Sequence, residues 1–385
     1  MYIRVNRDVL LNAFSHSQSV IEKRSTLLIL GHTLLQARDG AATLVSTDMD
    51  MSLSETFACD VIREGELCIP TLLMYEILKK IKAGVPVELV FEDHATQIVL
   101  SAGRSRFEIP CIMPDEFPRI LQNTTDVLST FSLPAPVFKD LLETVRFAMS
   151  ADEMRYSLVG INLSCDLKSG VAKLRAVATD RHRLASIEIP SPEGAESMPS
   201  VIVGKKTVGE MAKLLEDAVE PVTLSVSETR IELTVVSEKS RAVLGSRLID
   251  GAFPDFEAIL NLQQEKRLIA GTKIFAEAVD RVGTVINDKL RIVKIIFSRN
   301  LLKCSAGTGS HGAATEDIDI DYDDEDVLEF SYDVRYLLDI AQHVGTEELE
   351  ISLTNPDLAT TMRPLGREGV FFALMSITPQ TNYTE

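Results

Sequence analysis

The feature that most constrains this chain is that it repeats itself. A short strand followed by an amphipathic helix opens three times, at a spacing of about 130 residues. Tyr2-Ile3-Arg4-Val5 precedes a helical run over 8–14. Thr130-Phe131-Ser132-Leu133 precedes one over 136–145, and Arg267-Leu268-Ile269-Ala270 precedes one over 273–279. In each run the apolar residues recur at three- and four-residue steps, which predicts a helix with one buried face. Pro136 stands in a first helical turn, where proline is tolerated.

An alternating hairpin follows each opening, over 34–48, 161–180 and 293–306. Asp39-Gly40 and Ser169-Gly170 are turn signals in matching places. Thr47-Asp48 therefore corresponds to Thr179-Asp180. A second strand and helix come next: 67–70 into 72–81, 201–204 into 208–215, and 328–331 into 334–341. Three alternating strands close each repeat, as over 87–91, 97–101 and 105–109. Asp115-Glu116-Phe117-Pro118 and Asp250-Gly251-Ala252-Phe253-Pro254 punctuate the repeats. The expected fold is α+β: three domains, 1–125, 126–262 and 263–385, each with two helices packed on antiparallel sheets.

Composition bounds the function. With 39 basic and 57 acidic residues the net charge is -18. That argues against gripping nucleic acid with the whole surface and leaves room for a local basic face. Cys59, Cys68, Cys111, Cys165 and Cys304 are odd in number and scattered, with no Cys-x-x-Cys. A disulfide framework or zinc site is not expected, and a reducing cytoplasm fits. No apolar run reaches membrane-spanning length, and Met1-Tyr2-Ile3-Arg4-Val5 is not a signal peptide.

The stretch from Ala178 to Ala185 sets Asp180, His182, Arg181 and Arg183 side by side, with Leu184 as an apolar anchor. It reads as a surface charge pair at a strand end, or as part of a hydrolase. The second reading needs a nucleophile or metal. The chain has no Gly-x-Ser-x-Gly, His-Glu-x-x-His or phosphate-binding glycine loop. The acidic run from Glu316 to Asp326 opens like a calcium loop at Asp317, Asp319 and Asp321. Tyr322 and Leu328 stand where that loop needs Gly and Glu. Alternating Asp and Ile predict a strand with one solvated face. No metal, no cofactor and no catalysis are expected.

The repeats and their motifs resemble the bacterial DNA polymerase III beta subunits, the sliding clamps, over essentially the whole chain. The residues that carry the likeness are Leu28-Ile29-Leu30-Gly31 after Lys23-Arg24, Gly103-Arg104-Ser105-Arg106-Phe107, Phe117-Pro118, the stretch from Met154 to Gly160, the stretch from Ala178 to Ala185, and the stretch from Asp250 to Phe256. The resemblance implies a non-catalytic processivity factor. It implies a head-to-tail homodimer that closes a six-domain ring around duplex DNA, without sequence preference. Implied partners are the polymerase III catalytic subunit, the clamp-loader complex and other clamp-binding replication and repair proteins, with no membrane.

By the same resemblance, a partner peptide docks between the second and third domains. The matching positions are Arg155, Leu158, Thr179, Arg181, His182, Arg183, Leu184, Pro254, Ile259, Asp333, Tyr336, Leu374, Met375, Ser376 and Ile377. The clamps usually carry Gly where Arg181 stands. Candidates for DNA phosphates are Lys79, Lys80, Lys82, Lys139, Arg146, Lys205, Lys206 and Arg281, with Lys213, Lys273 and Arg335 on the same helices, and Lys23 and Arg24 in a loop. Phe107 and Ile109, two apart on a strand, and Ile77 and Ile81, four apart on a helix, are expected to form an apolar dimer patch. The resemblance sets that patch against Val285 of the other copy. A repeat-built scaffold that binds no DNA is the remaining alternative; it has no need of Arg24 or the lysines from 79 to 82.

Overall fold

The computed structural model describes residues 1–22, 26–92, 95–118, 126–166, 170–286, 291–307 and 312–377. Seven α-helices occur among them: α1 (Arg7–Val20), α2 (Thr71–Lys80), α3 (Ala135–Arg146), α4 (Lys205–Glu216), α5 (Glu257–Leu260), α6 (Thr272–Gly283) and α7 (Val334–His343). The apolar periodicity finds six of these. In α6 the buried residues Phe275, Ala278, Val279 and Val282 fall on one stripe. Asn6 caps α1 by accepting the Asp8 amide N–H, and Asp333 caps α7 by accepting that of Arg335. The chain packs as two compact units: residues 1–139, 167–172 and 191–250, and residues 140–166, 173–190 and 251–385.

The first unit holds two antiparallel sheets. One runs Asp60–Arg63, Tyr2–Asn6, Pro86–Val90, Gln97–Ala102, Ser105–Pro110. The other runs Ser129–Leu133, Val222–Val226, Arg230–Val236, Arg241–Arg247, Met51–Ala58, Ala41–Thr47, His32–Arg38, Gly65–Pro70. Here strands of the first and second repeats join one ladder, with Leu244 opposite Leu53 and both buried. Leu10, Phe14, Leu35, Ile69, Met74, Leu78, Leu89 and Leu100 form the core under α1 and α2.

That core corrects one expectation. Ile109 is 1% exposed and part of it, so the strand face it shares with Phe107 is the core face. Ile77, Ile81 and Phe107 pack against the same core and are half-buried.

A polar network ties α1 to α4 and to the joined sheet. His16 Nδ1 lies 2.9 Å from Glu55 Oε2, and its Nε2 lies 3.7 Å from Asp217 Oδ2. Ser240 donates to Glu55 Oε1 at 2.6 Å, and Asn12 donates to Asp217 at 3.0 Å. Ser19 donates to Glu210, which also takes Lys213 at 2.8 Å. Burial alone pulls the His16 imidazole down. The hydrogen bond to Glu55, with the charges of Glu55, Asp217 and Glu210, outweighs it and holds the ring above the ordinary histidine range.

The second unit repeats the plan. Its long sheet runs Gly160–Asp166, Lys173–Thr179, Arg183–Pro190, Val370–Leu374, Thr360–Pro364, Glu348–Leu353, Lys266–Gly271. Strands from the second and third repeats again join, with Leu184 opposite Ala373. A smaller sheet runs Ala314–Asp319, Leu301–Ala306, Ile292–Ser298, Leu328–Asp333. The acidic run turns Ile318, Ile320 and Tyr322 inward. Its carboxylates meet Arg281 through Glu316, Lys266 through Asp324 and Asp326, and Arg299 through Asp323 and Glu325.

Candidate functional site

The strand Lys173–Thr179 ends in a turn that the sequence spells out. Thr179 Oγ1 donates to the Arg183 carbonyl at 2.7 Å and accepts the Arg181 amide N–H at 3.1 Å. Asp180 Oδ1 accepts the amide N–H groups of His182 at 2.9 Å and Arg183 at 3.0 Å. Asp180 Oδ2 pairs with Arg183 Nε at 3.1 Å. The carboxylate is consumed by the turn and makes no contact with the imidazole, which removes the geometric basis for an Asp-His hydrolase. These bonds hold Arg181 at φ 78°, a left-handed conformation.

Arg183 carries the turn into the rest of its unit. Its guanidinium is 4.5 Å from the Tyr336 ring centroid and 5.1 Å from that of Phe147. It also pairs with Asp339 at 2.5 Å and donates to the Phe147 carbonyl at 2.8 Å. His182 stacks on Tyr336, with ring centroids 6.1 Å apart. Its carbonyl accepts the Met375 amide N–H at 2.8 Å. The turn is thereby fixed to α7 on one side and to the end of the strand Val370–Leu374 on the other.

Beside it lies a groove of about 250 Å³, lined by Thr179, Arg181, His182, Arg183, Leu184, Pro254, Asp255, Phe256, Ile259, Ala359, Ala373, Leu374 and Met375. Its floor is an apolar cluster of Val177, Leu184, Ala359, Phe371 and Ala373, against which Phe253, Phe256 and Ile259 pack. The short helix α5 presents Ile259. Arg175, only 8% exposed, anchors that helix by pairing with Glu257 at 2.9 Å while also bonding Glu188 at 3.0 Å. An apolar floor with a few polar groups at the rim suits a peptide with bulky anchors.

Nine of the fifteen expected peptide residues line this groove: Thr179, Arg181, His182, Arg183, Leu184, Pro254, Ile259, Leu374 and Met375. The other six stand elsewhere. Leu158 is 2% exposed and does not line the groove. Asp333, 4% exposed, is the cap of α7 and pairs with Arg335. Arg155 pairs with Asp152 at 3.2 Å. Tyr336 backs the turn through His182 and Arg183. Ser376 donates to the Pro356 carbonyl, and the Ile377 amide to that of Ser331. Asp255, Phe256, Ala359 and Ala373 were missing from the expectation. Asp255 and Phe256 fall in a stretch already singled out by its Phe-Pro pattern, whereas Ala359, just before the strand Thr360–Pro364, and Ala373, within Val370–Leu374, carry no such signal.

The basic candidates divide. Lys79 pairs with Glu76, Lys139 with Glu216, Arg146 with Glu143, and Lys213 with Glu210. Lys206 pairs with Asp48 at 2.5 Å and donates to the Val20 carbonyl. Arg281 pairs with Glu316 and Glu277, and Lys273 stands 3.8 Å from Glu277. Among the described residues Lys80, Lys82 and Lys205 are exposed and have no carboxylate partner. Lys23 and Arg24 lie outside the described residues.

Comparison with known proteins now decides the family. Residues 1–121 match the family model for the N-terminal domain of the DNA polymerase III beta subunit, residues 132–255 that for its central domain, and residues 258–377 that for its C-terminal domain. The chain belongs to the DNA polymerase III beta subunit family. The beta sliding clamp of Caulobacter vibrioides is 35% identical over 98% of this chain and 100% of that protein. That of Escherichia coli is 28% identical over 97% of this chain and 99% of its own. The crystal structure of a Bartonella birtlesii sliding clamp bound to griselimycin superposes with a TM-score of 0.92 at 32% identity, covering 98% of this chain and 99% of that one. The Caulobacter crescentus beta sliding clamp with PEG bound gives 0.91 at 35% identity, with 98% and 99% covered. This member of the beta subunit family is a sliding clamp, a processivity factor of DNA replication. No helix among its described residues is long and apolar enough to cross a membrane.

Proposed function

We propose that the groove beside the turn from Thr179 to Arg183 is where this clamp holds its partners. The occupant is a short peptide with a polar Gln and two bulky apolar anchors, borne by the polymerase III catalytic subunit, the clamp loader and other replication and repair proteins. The observation that carries this is the groove's make-up: a rigidly braced turn on one side, and an apolar floor of Leu184, Ala359 and Ala373 between. Leu184, Pro254, Ile259 and Leu374 meet the anchors, while His182 and the backbone at Met375 are placed for the polar contacts. Tyr336 and Asp333 act from behind the wall. No step of catalysis is assigned to the chain.

In this reading three domains, near 1–125, 126–262 and 263–385, pair head to tail with a second copy in the cytoplasm and close a ring around duplex DNA. The family matches support domains of that size. The dimer seam uses Ile77, Ile81, Phe107 and Val285, without Ile109. Leu73, 45% exposed and one turn before Ile77, extends the patch. Lys80, Lys82 and Lys205, which have no carboxylate partner among the described residues, supply the DNA-facing charge, and Lys23 and Arg24 are further phosphate contacts in this reading. The ion-paired cations contribute less. Weak phosphate attraction without base contacts suits sliding.

The test is titration of a Gln-x-x-Leu-Phe peptide against wild type and against His182→Ala with Leu184→Ala. The double change should weaken binding by roughly 2–4 kcal/mol while leaving the dimer intact. Equal affinities would place the partner site elsewhere.

A further inference from the structure

The turn that borders the groove holds one feature its hydrogen bonds do not require. Arg181 occupies a left-handed position, φ 78°, where a side chain with a Cβ is strained. Its backbone is bound through Thr179, but its exposed guanidinium has no carboxylate partner among the described residues. Its neighbours differ. Arg183 is neutralised by Asp180 and Asp339, Arg155 by Asp152, Arg335 by Asp333 and Arg175 by Glu188. Of the two arginines that line the groove, Arg183 is paired and Arg181 is not, on a body of net charge -18. The one other charged lining residue outside these pairs is Asp255, whose carboxylate accepts the Glu257 amide N–H at 3.0 Å and forms no ion pair with Arg181.

We infer that Arg181 is a specificity residue: it selects partner peptides that carry an Asp or Glu beside their apolar anchors. The inference rests on the groove being the peptide site. A carboxylate on the bound peptide supplies the counter-ion that the chain itself withholds. The planar, permanently charged guanidinium can take it with two parallel hydrogen bonds, next to an apolar surface that reduces screening by water. The rest of the surface works the other way, because a body of this charge repels acidic segments. A preference for acidic peptides therefore has to come from a local charge. Asp255 adds direction: a peptide that set its acid toward Asp255 would be disfavoured.

A set of three peptides for each position flanking the anchors decides it, identical but for Ala, Glu or Lys at that position. They are titrated against the full-length dimer of wild type, Arg181→Gln and Arg181→Lys, at low and high salt. At one flanking position the Glu peptide should bind wild type about two- to fivefold tighter than the Ala peptide, in line with a partly exposed ion pair. The advantage should fall at high salt. In Arg181→Gln the ratio should drop to one or below and the Lys peptide should become the best of the three. In Arg181→Lys part of the advantage should survive. A Glu advantage that persists in Arg181→Gln, or none at any position in wild type, overturns the inference while leaving the groove reading in place. If none of the peptides binds wild type, the groove reading fails and the inference falls with it.

Discussion

Met49 and Arg181 hold the same place in two copies of one turn. Their φ angles are 83° and 78°. Thr47 Oγ1 accepts the Met49 amide N–H at 3.0 Å, as Thr179 Oγ1 accepts that of Arg181 at 3.1 Å. Asp48 Oδ1 accepts from Asp50 and Met51, as Asp180 Oδ1 accepts from His182 and Arg183. The Thr-Asp pair dictates the backbone, and the residue after it must accept a left-handed conformation. In the first copy that residue is an apolar side chain; in the second it is a charge on the groove.

The strain predicts a stabilising substitution. Arg181→Gly should raise the free energy of unfolding by roughly 0.5–1 kcal/mol, since glycine meets no Cβ penalty there and loses some of that gain to its freer unfolded chain. Arg181→Ala keeps the Cβ and should give no such gain. Urea midpoints of both variants check this; equal shifts would mean the conformation is not strained.

Arg183 braces the groove through two carboxylates, a carbonyl and two rings. Arg183→Met should cost about 2–3 kcal/mol, less than a fully buried pair because Asp339 is partly exposed. Peptide affinity should fall with it. Denaturation and peptide titration on one sample measure both; full stability with full affinity would remove the bracing role.

The lysines proposed to face DNA are predicted to contribute unequally. Changing Lys80 and Lys82 together to Ala should reduce the slope of log affinity against log salt by at most about two. Lys206→Ala should do less, because its ammonium is already bonded to Asp48 and the Val20 carbonyl. Binding to duplex DNA over a salt series ranks them, and the opposite ranking would refute the division.

His16 gives a pH dependence with a definite sign. Its folded-state pKa stands above the ordinary 6.5. The stability it contributes is therefore fully present below about 6.5 and is lost as pH rises through the raised value. His16→Gln should remove that slope. Urea midpoints from mildly acidic to alkaline pH compare the two, and parallel curves would show that the contact with Glu55 does not depend on the proton.

The fold was legible because periodicity is local. The stripe of Phe275, Ala278, Val279 and Val282 marks α6, and Thr47-Asp48 with Thr179-Asp180 marks matching strand ends. What the pattern does not hold is which face of a strand is covered and which charges are spoken for. Phe107 and Ile109 do share a face, but two-residue alternation looks the same for a core face as for an exposed one. Lys206 looks available until Asp48, 158 positions away, is brought beside it. Ala359 and Ala373 are groove residues only because strands from two repeats join at Leu184. The helix of Ile259 is a single turn, too short for a helical period to register.

The most direct test of the account is topological. The protein is loaded onto nicked circular DNA with a clamp loader, washed in high salt, and the circle is then cut once. Retention on the circle through the wash, followed by loss on cutting, is the result predicted for a ring that encircles DNA and holds it by linkage. Equal retention before and after cutting, or release by salt from the intact circle, would contradict it.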